Sequence, residues 1–150
     1  MRRIYTLALL LALSSCKTPR QRWLDGLENH ASARDRALSL DAARIPPRPG
    51  DTSSVTYKVR LYPARDWLDQ HGTSGVNELS YQMDSCFLLR QGKHDFAPAL
   101  FEPVNNGVAG CFEYLLSFDL VKDMQAGRLQ LVYRDRFISG KPYTLNLHAQ

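Results

Sequence analysis

The sequence lacks the short motifs that identify most hydrolases, metalloenzymes and nucleotide-binding proteins. Its 150 residues contain no G-x-S-x-G, H-E-x-x-H or phosphate-loop pattern, and its four histidines are far apart. The stretch that holds Asp84, Cys86, His94 and Asp95 matches no ligand spacing of a zinc site and no arrangement of cysteine-protease residues. We therefore expect no metal, no cofactor and no catalytic residue, and the absence of motifs favours a binding or scaffold protein.

Cysteine and long apolar runs are also scarce. There are only three cysteines, and after position 16 no apolar stretch is long enough to cross a bilayer. The net charge is +4, but the excess of arginine and lysine lies before residue 51, whereas residues 51–150 carry one more acidic than basic side chain. A nucleic-acid-binding domain places its positive charge on a folded face. The sequence thus predicts no nucleic-acid partner, and it indicates no small-molecule substrate.

The first sixteen residues, MRRIYTLALLLALSSC, are the most informative segment. Two arginines precede an apolar run from Ile4 to Leu13, which has the length of the hydrophobic region of an export signal. The run ends in Leu-Ser-Ser-Cys16 and so resembles the lipobox of bacterial lipoproteins. The resemblance implies cleavage before Cys16, acylation of that cysteine with three chains including palmitate, and a lipid anchor in the cell envelope. Because Lys17 rather than aspartate follows, it favours the outer membrane, facing the periplasm. The alternative is a plain secretory signal with an unmodified thiol.

Residues 16–50 are predicted to form a flexible tether. Trp23, Leu27 and Ala31 recur at four-residue spacing, but a glycine interrupts this thin apolar face, which favours a marginal helix or disorder. The segment IPPRPG at residues 45–50 then blocks both helix and strand pairing, because proline fixes φ and lacks a donor. We expect three regions: a signal peptide over residues 1–15, the lipidated cysteine and tether over 16–50, and one domain over 51–150.

The domain is predicted to be all-β. Val55, Tyr57, Val59 and Leu61 alternate with polar residues, which is the pattern of a half-buried strand. An Asn-Asn-Gly107 sequence favours a type I′ hairpin turn. The same alternation predicts strands over residues 79–89, 94–102 (an edge strand because of Pro98), 108–118, 129–133 and 143–147, with one or two helical turns over 63–72. Six or seven such strands predict a single immunoglobulin-like β-sandwich, which resembles domains of bacterial envelope lipoproteins.

Cys86 and Cys111 form a candidate disulfide pair, since an exported protein enters an oxidising compartment. In a simple meander, the strand with Pro98 separates them by two strand spacings, about 9.6 Å, which exceeds the roughly 7 Å that a disulfide spans. The alternation also turns both thiols away from the predicted core. A disulfide and two unpaired thiols both remain open.

Two further places offer candidate partner contacts. Trp67 lies on the predicted helical turns, where it either projects toward a partner or caps the core with its large apolar area. Ser-Gly-Lys-Pro-Tyr at residues 139–143 resembles the SGxxY loop of the lipoprotein lysozyme inhibitors, which implies contacts through Ser139, Lys141 and Tyr143. A chance hairpin turn is the alternative for this loop.

The function predicted from these observations is that of a membrane-anchored, non-catalytic lipoprotein that binds another envelope protein as an accessory module. Its mechanism would be tethering, because an anchored domain has a high effective concentration at its partner. The resemblance to the lysozyme inhibitors supplies the alternative, a lipoprotein inhibitor of a cell-wall hydrolase.

Overall fold

The computed structural model describes residues 17–121 and 129–147, so Cys16 and its predicted lipidation lie outside the described residues. Within these ranges the strands are β1 (Glu28–Arg34), β2 (Leu38–Ile45), β3 (Ser54–Pro63), β4 (Phe87–Gln91), β5 (His94–Phe96), β6 (Leu100–Val104), β7 (Phe112–Asp119), β8 (Leu129–Arg134) and β9 (Pro142–Asn146). The helices are α1 (Pro19–Leu24), α2 (Arg65–Tyr81) and a 3₁₀ turn (Asp84–Cys86).

The strands form two antiparallel sheets. The first has the order β1-β2-β3-β7-β6 and the second the order β5-β4-β8-β9. The buried apolar side chains of both sheets join in one core. The prediction of an all-β sandwich is therefore confirmed, with more strands than the six or seven expected.

The core lies between the two sheets and is centred on β3. Val55, Tyr57, Val59 and Leu61 are each at most 3% exposed, as their alternation predicts. They share the core with the inward rows of β7 and of the second sheet, whose buried members are Tyr114, Leu116, Phe118, Phe87, Leu89, Leu131, Tyr133 and Leu145. Full burial of one such side chain stabilises a fold by about 1.5–3 kcal/mol, so this layer dominates the stability of the sandwich.

The prediction of a flexible tether over residues 16–50 is wrong for most of that segment. It forms α1, β1 and β2, and β2 pairs with β3 along its whole length. Leu38, Leu40 and Ala42 face inward and are at most 2% exposed, because they recur with the period of two that places one face of a strand in the core. The proline-rich segment connects two neighbouring strands of one sheet and is not a domain boundary.

Helix α1 lies on the outer face of the first sheet. Trp23 is 7% exposed, and the guanidinium of Arg60 on β3 lies 5.0 Å from the centroid of its ring. Arg20 donates a hydrogen bond of 2.7 Å to Asp41 on β2. The marginal helix predicted through Trp23, Leu27 and Ala31 is wrong in extent, because α1 ends at Leu24 and Ala31 lies in β1. The helix that does form is docked on the sheet through Arg20 and Trp23.

Helix α2 is longer than the one or two turns predicted. At Gly72 the backbone has φ 53° and ψ −138°, a conformation that glycine tolerates, and the helix resumes beyond this kink. Leu79 is fully buried whereas Tyr81 is 76% exposed, so the two do not share the face of a strand. The strand predicted over residues 79–89 is therefore wrong in its first half. None of the described helices is both long enough and apolar enough to cross a bilayer.

The hairpin of β6 and β7 has a longer connection than the predicted type I′ turn. Gly107 has a positive φ of 68°, but Asn106 does not, and a type I′ turn needs positive φ at both central residues. The run over residues 94–102 is also not one strand, because β5 and β6 lie at edges of different sheets. Pro103, within β6, cannot donate a hydrogen bond along that edge, whereas Pro98 lies between the two strands.

Replacement of Leu40 by alanine is expected to lower the free energy of unfolding by about 2–5 kcal/mol, because this fully buried side chain would leave a cavity between the sheets. Chemical denaturation followed by circular dichroism measures the change. The matched control is Leu100→Ala, since Leu100 is 52% exposed at the edge of the same sheet, and it should change stability by about 0.5 kcal/mol or less. Equally small effects for both variants would mean that β2 contributes nothing to the core.

Candidate functional site

A groove of about 930 Å³ opens between the second half of α2 and the loop of residues 105–111. We call it the α2 groove. Three of its apolar side chains are exposed to solvent: Val76 by 41%, Tyr81 by 76% and Val108 by 48%. Scattered exposed apolar side chains are normal on protein surfaces, but several in one concave site indicate a binding surface.

The loop wall of the α2 groove is shaped by its own asparagines. Asn105 Oδ1 accepts a hydrogen bond of 3.2 Å from the backbone N–H of Gly107, and Asn106 Oδ1 accepts one of 2.8 Å from that of Val108. Asparagine side chains stabilise turns through such bonds to the backbone two residues ahead. The wall that presents Val108 is therefore set by local sequence and needs no ligand to form.

The floor of the α2 groove contains one buried charge, which is neutralised. Glu113 is 2% exposed, and its carboxylate accepts hydrogen bonds from Lys58 Nζ at 2.9 Å, Arg60 Nε at 2.5 Å and Asn106 Nδ2 at 3.3 Å. Burial raises the pKa of Glu113, but these hydrogen bonds outweigh it and hold the pKa below its usual range. The carboxylate is thus ionised and fully engaged, so the groove presents little net charge to a ligand.

Cys111 also lines the α2 groove and is partly exposed. Its Sγ accepts a hydrogen bond of 3.2 Å from Asn106 Nδ2 and also interacts with the hydroxyl of Tyr62. Burial raises the pKa of Tyr62 to about 12, and the neighbouring thiol adds to the rise.

The two cysteines of the described chain are free thiols, not a disulfide. The expectation that both point away from the core is wrong for Cys86, which is fully buried in it. The reason is that Cys86 closes the 3₁₀ turn before β4, so the alternation of a strand does not apply to it. Burial raises the pKa of this thiol to about 11.

The structure places Trp67 in the core rather than on a contact surface. It is 8% exposed, stacks on His71 with ring centroids 4.3 Å apart, and donates a hydrogen bond of 3.3 Å from Nε1 to the carbonyl of Phe137. A Cβ at Gly75 would lie 2.7 Å from the Trp67 ring, so the helix and the ring are closely packed. Of the two alternatives weighed for this residue, the structure favours the core cap.

The residues of the Ser139–Tyr143 loop use their hydroxyls inside the protein. Ser139 donates hydrogen bonds from its N–H and its Oγ to Asp135 Oδ2, and Tyr143 donates one of 2.8 Å to Asp35. The two hydroxyl oxygens lie 2.9 Å apart. Of the three predicted contacts in this loop, only Lys141 is exposed. The loop therefore joins the β1–β2 turn to the second sheet.

Asp135 is the buried centre of this hydrogen-bonded cluster and is 5% exposed. Its Oδ1 accepts a bond of 3.0 Å from the hydroxyl of Tyr133 and further bonds from the backbone of Phe137 and Ile138. Burial raises the pKa of Asp135, but the hydrogen bonds from Ser139 and the backbone outweigh it, so the pKa lies below its usual range. A carboxylate satisfied in this way stabilises a tight loop and is not poised for proton transfer.

Sequence reasoning missed the α2 groove. It assigned Tyr81 and Val108 to strands and gave no element to Val76. The signal that was available is the helical spacing of Val76, Leu79 and Met83, three and four residues apart, which indicates a helix in this segment.

Within residues 17–121 and 129–147, no three histidine, cysteine or acidic side chains are grouped so as to hold a metal ion.

Iodoacetamide is expected to label Cys111 and not Cys86 in the folded protein. Cys86 is fully buried, and its pKa of about 11 leaves little thiolate near neutral pH, whereas Cys111 lines the open groove. Peptide mass spectrometry locates the label. The Cys111→Ser variant should show no label on Cys86 until urea unfolds the protein and exposes this thiol. Labelling of wild-type protein only after reduction would instead reveal a disulfide.

The geometry of the α2 groove is the basis for a functional assignment. Comparison with known proteins gave no match: no family model fits the chain, and no curated protein or solved structure is significantly similar to it.

Proposed function

We propose that this protein is a lipid-anchored, non-catalytic module of the bacterial cell envelope that binds an apolar, uncharged segment of another envelope protein in the α2 groove. The observation that carries the binding role is the group of exposed apolar side chains, Val76, Tyr81 and Val108, around one concave site. Aromatic and apolar side chains in a preformed groove are typical of the centre of a protein interface.

The choice of an uncharged segment follows from the electrostatics of the groove. Glu113 is the one charged residue in its lining among the described residues, and Lys58 and Arg60 neutralise it from the outer face of the sheet. A charged ligand group would lose its water without gaining a partner, which opposes binding. Apolar side chains bound between Tyr81 and Val108 incur no such cost.

The anchor is supported by the LSSC sequence, and the position of α1 limits the length of the attachment. Only two residues lie between Cys16 and Pro19, the first residue of a helix that is docked on the first sheet, and these three residue steps span at most about 11 Å. The domain is then held against the bilayer surface and not on a long tether. Short attachment raises the effective concentration of the groove only for partners at the same membrane.

Two features of the ionisable groups support a binding role over a catalytic one. Glu113 makes three charge-assisted contacts at the groove floor, and Cys111 contacts an amide and a phenol of raised pKa. The hydroxyl of Ser139 is bonded to the buried Asp135 and that of Tyr143 to Asp35, so they give no specific support to the hydrolase-inhibitor alternative.

Wild-type protein is expected to incorporate labelled palmitate and to sediment with membranes, and Cys16→Ser is expected to do neither, because that cysteine is the only one in the lipobox. The control Cys111→Ser should be acylated normally. Incorporation of palmitate into Cys16→Ser would exclude this anchor.

Val108→Asp is expected to reduce the amount of crosslinked partner recovered from intact cells by about tenfold or more, because a carboxylate would be desolvated in the occupied groove. A photo-reactive amino acid at position 81 forms the crosslink, and quantitative mass spectrometry measures the partner. The matched control is Val121→Asp, since Val121 is 55% exposed and lies outside the groove lining. Equal recovery from both variants would exclude the groove as the binding site.

A further inference from the structure

A second cavity, of about 280 Å³, lies at the C-terminal end of β2, beside the β2–β3 connection. Its lining includes Arg44, Pro46, Pro47, Arg48, Ser54 and Thr56. We call it the Arg44 cavity. It shares no lining residue with the α2 groove, and the proposed partner binding does not use it.

Arg44 is a cation on the inward row of β2. The strand alternates Leu38, Leu40, Ala42 and Arg44 on one face, so the arginine follows three buried apolar residues. It is paired in register with Tyr57, and its charge opposes the rise in the pKa of Tyr57 to about 12 that burial causes. The positive charge of Arg44 therefore lies at the margin of the core, where a lone cation is costly.

One donor of the Arg44 guanidinium has no acceptor. Its Nε–H is buried and finds no hydrogen-bond partner. Glu28 is opposite Arg44 in β1, yet no ion pair joins them or joins Arg44 to any other carboxylate in the described chain. Buried donors without an acceptor are rare in native proteins, so this one points to a ligand.

A second arginine lines the same cavity. Arg48 is exposed and lies between Pro47 and Pro49, which restrict the backbone that carries it. It also forms no ion pair with the described carboxylates. The one acidic residue of the lining, Asp51, already accepts hydrogen bonds from the N–H and Oγ of Ser53 through Oδ1.

We propose that the Arg44 cavity binds an oxyanion of the phosphate class. Guanidinium groups match the spacing of phosphate oxygens with paired donors, and two of them from different backbone segments suit a tetrahedral anion with four oxygens better than a planar carboxylate with two. A water molecule takes up about 30 Å³ of liquid, so the cavity has room for such an anion with part of its hydration. The anion neutralises Arg44 and supplies an acceptor for its buried Nε–H.

Calorimetric titration of the full-length protein in an uncharged detergent with inorganic phosphate tests the proposal. Saturable binding is expected, and Arg48→Ala and Arg44→Gln should each raise the dissociation constant by about tenfold or more through the loss of charge-assisted hydrogen bonds. Arg36→Ala removes the same charge from the exposed β1–β2 turn, at the opposite end of β2, and should leave the affinity unchanged. Because Arg48 is exposed, its variant keeps the test valid should Arg44→Gln fold poorly.

Two sources of phosphate, a free ion and a lipid headgroup, are separated by repeating the titration with phosphatidic acid in the micelles. If phosphatidic acid competes with phosphate in the wild type but not in Arg48→Ala, the lipid headgroup is a ligand. If phosphatidic acid leaves phosphate binding unchanged, the ligand is the free ion. Either result supports the Arg44 cavity as the binding site. The proposal would be overturned if neither phosphate nor phosphatidic acid bound saturably. It would also be overturned if Arg36→Ala lost as much affinity for phosphate as Arg48→Ala, or if acetate at equal concentration displaced phosphate.

Discussion

The two-residue alternation of β3 is the constraint on which the rest of the structure depends. Its inward row fills the centre of the core, and its outward row supplies Lys58 and Arg60 to Glu113 on β7. The same arginine lies over Trp23 and so holds α1 against the sheet. A slip of one residue in register would place both cations in the core and the valines in water. One strand thereby fixes the core, the groove floor and the docking of the first helix.

The sequence was sufficient to predict the strands rich in β-branched and aromatic residues. β3, β7, β8 and β9 all carry such residues on the row that the core buries, and the all-β class follows from them. β1 and β2 escaped prediction because their inward rows contain small alanines and, in β2, the charged Arg44, and because proline follows β2 directly. Strand formation there depends on the pairing of β2 with β3 and of β1 with β2, which local propensity does not encode.

The sites were harder to predict than the strands because they join residues that are distant in the chain. Val76 and Val108 meet only after α2 has crossed from one sheet to the other, and Asp35 meets Tyr143 across 108 positions. Parity arguments also failed wherever an element was misassigned, as for Cys86 on its 3₁₀ turn. The Ser139–Tyr143 loop was predicted to contact a partner through Ser139, Lys141 and Tyr143, but the hydroxyls of Ser139 and Tyr143 bond within the protein, to Asp135 and to Asp35 of the β1–β2 turn.

The proline in β6 has a consequence for strand addition at the edge of the first sheet. An open row of backbone donors at a sheet edge can pair with strands of neighbouring copies and so build polymers. Pro103 removes one donor from that row, β5 offers only three residues at the edge of the other sheet, and β1 and β9 contact each other. These features hinder pairing of the sheet edges with strands of another copy.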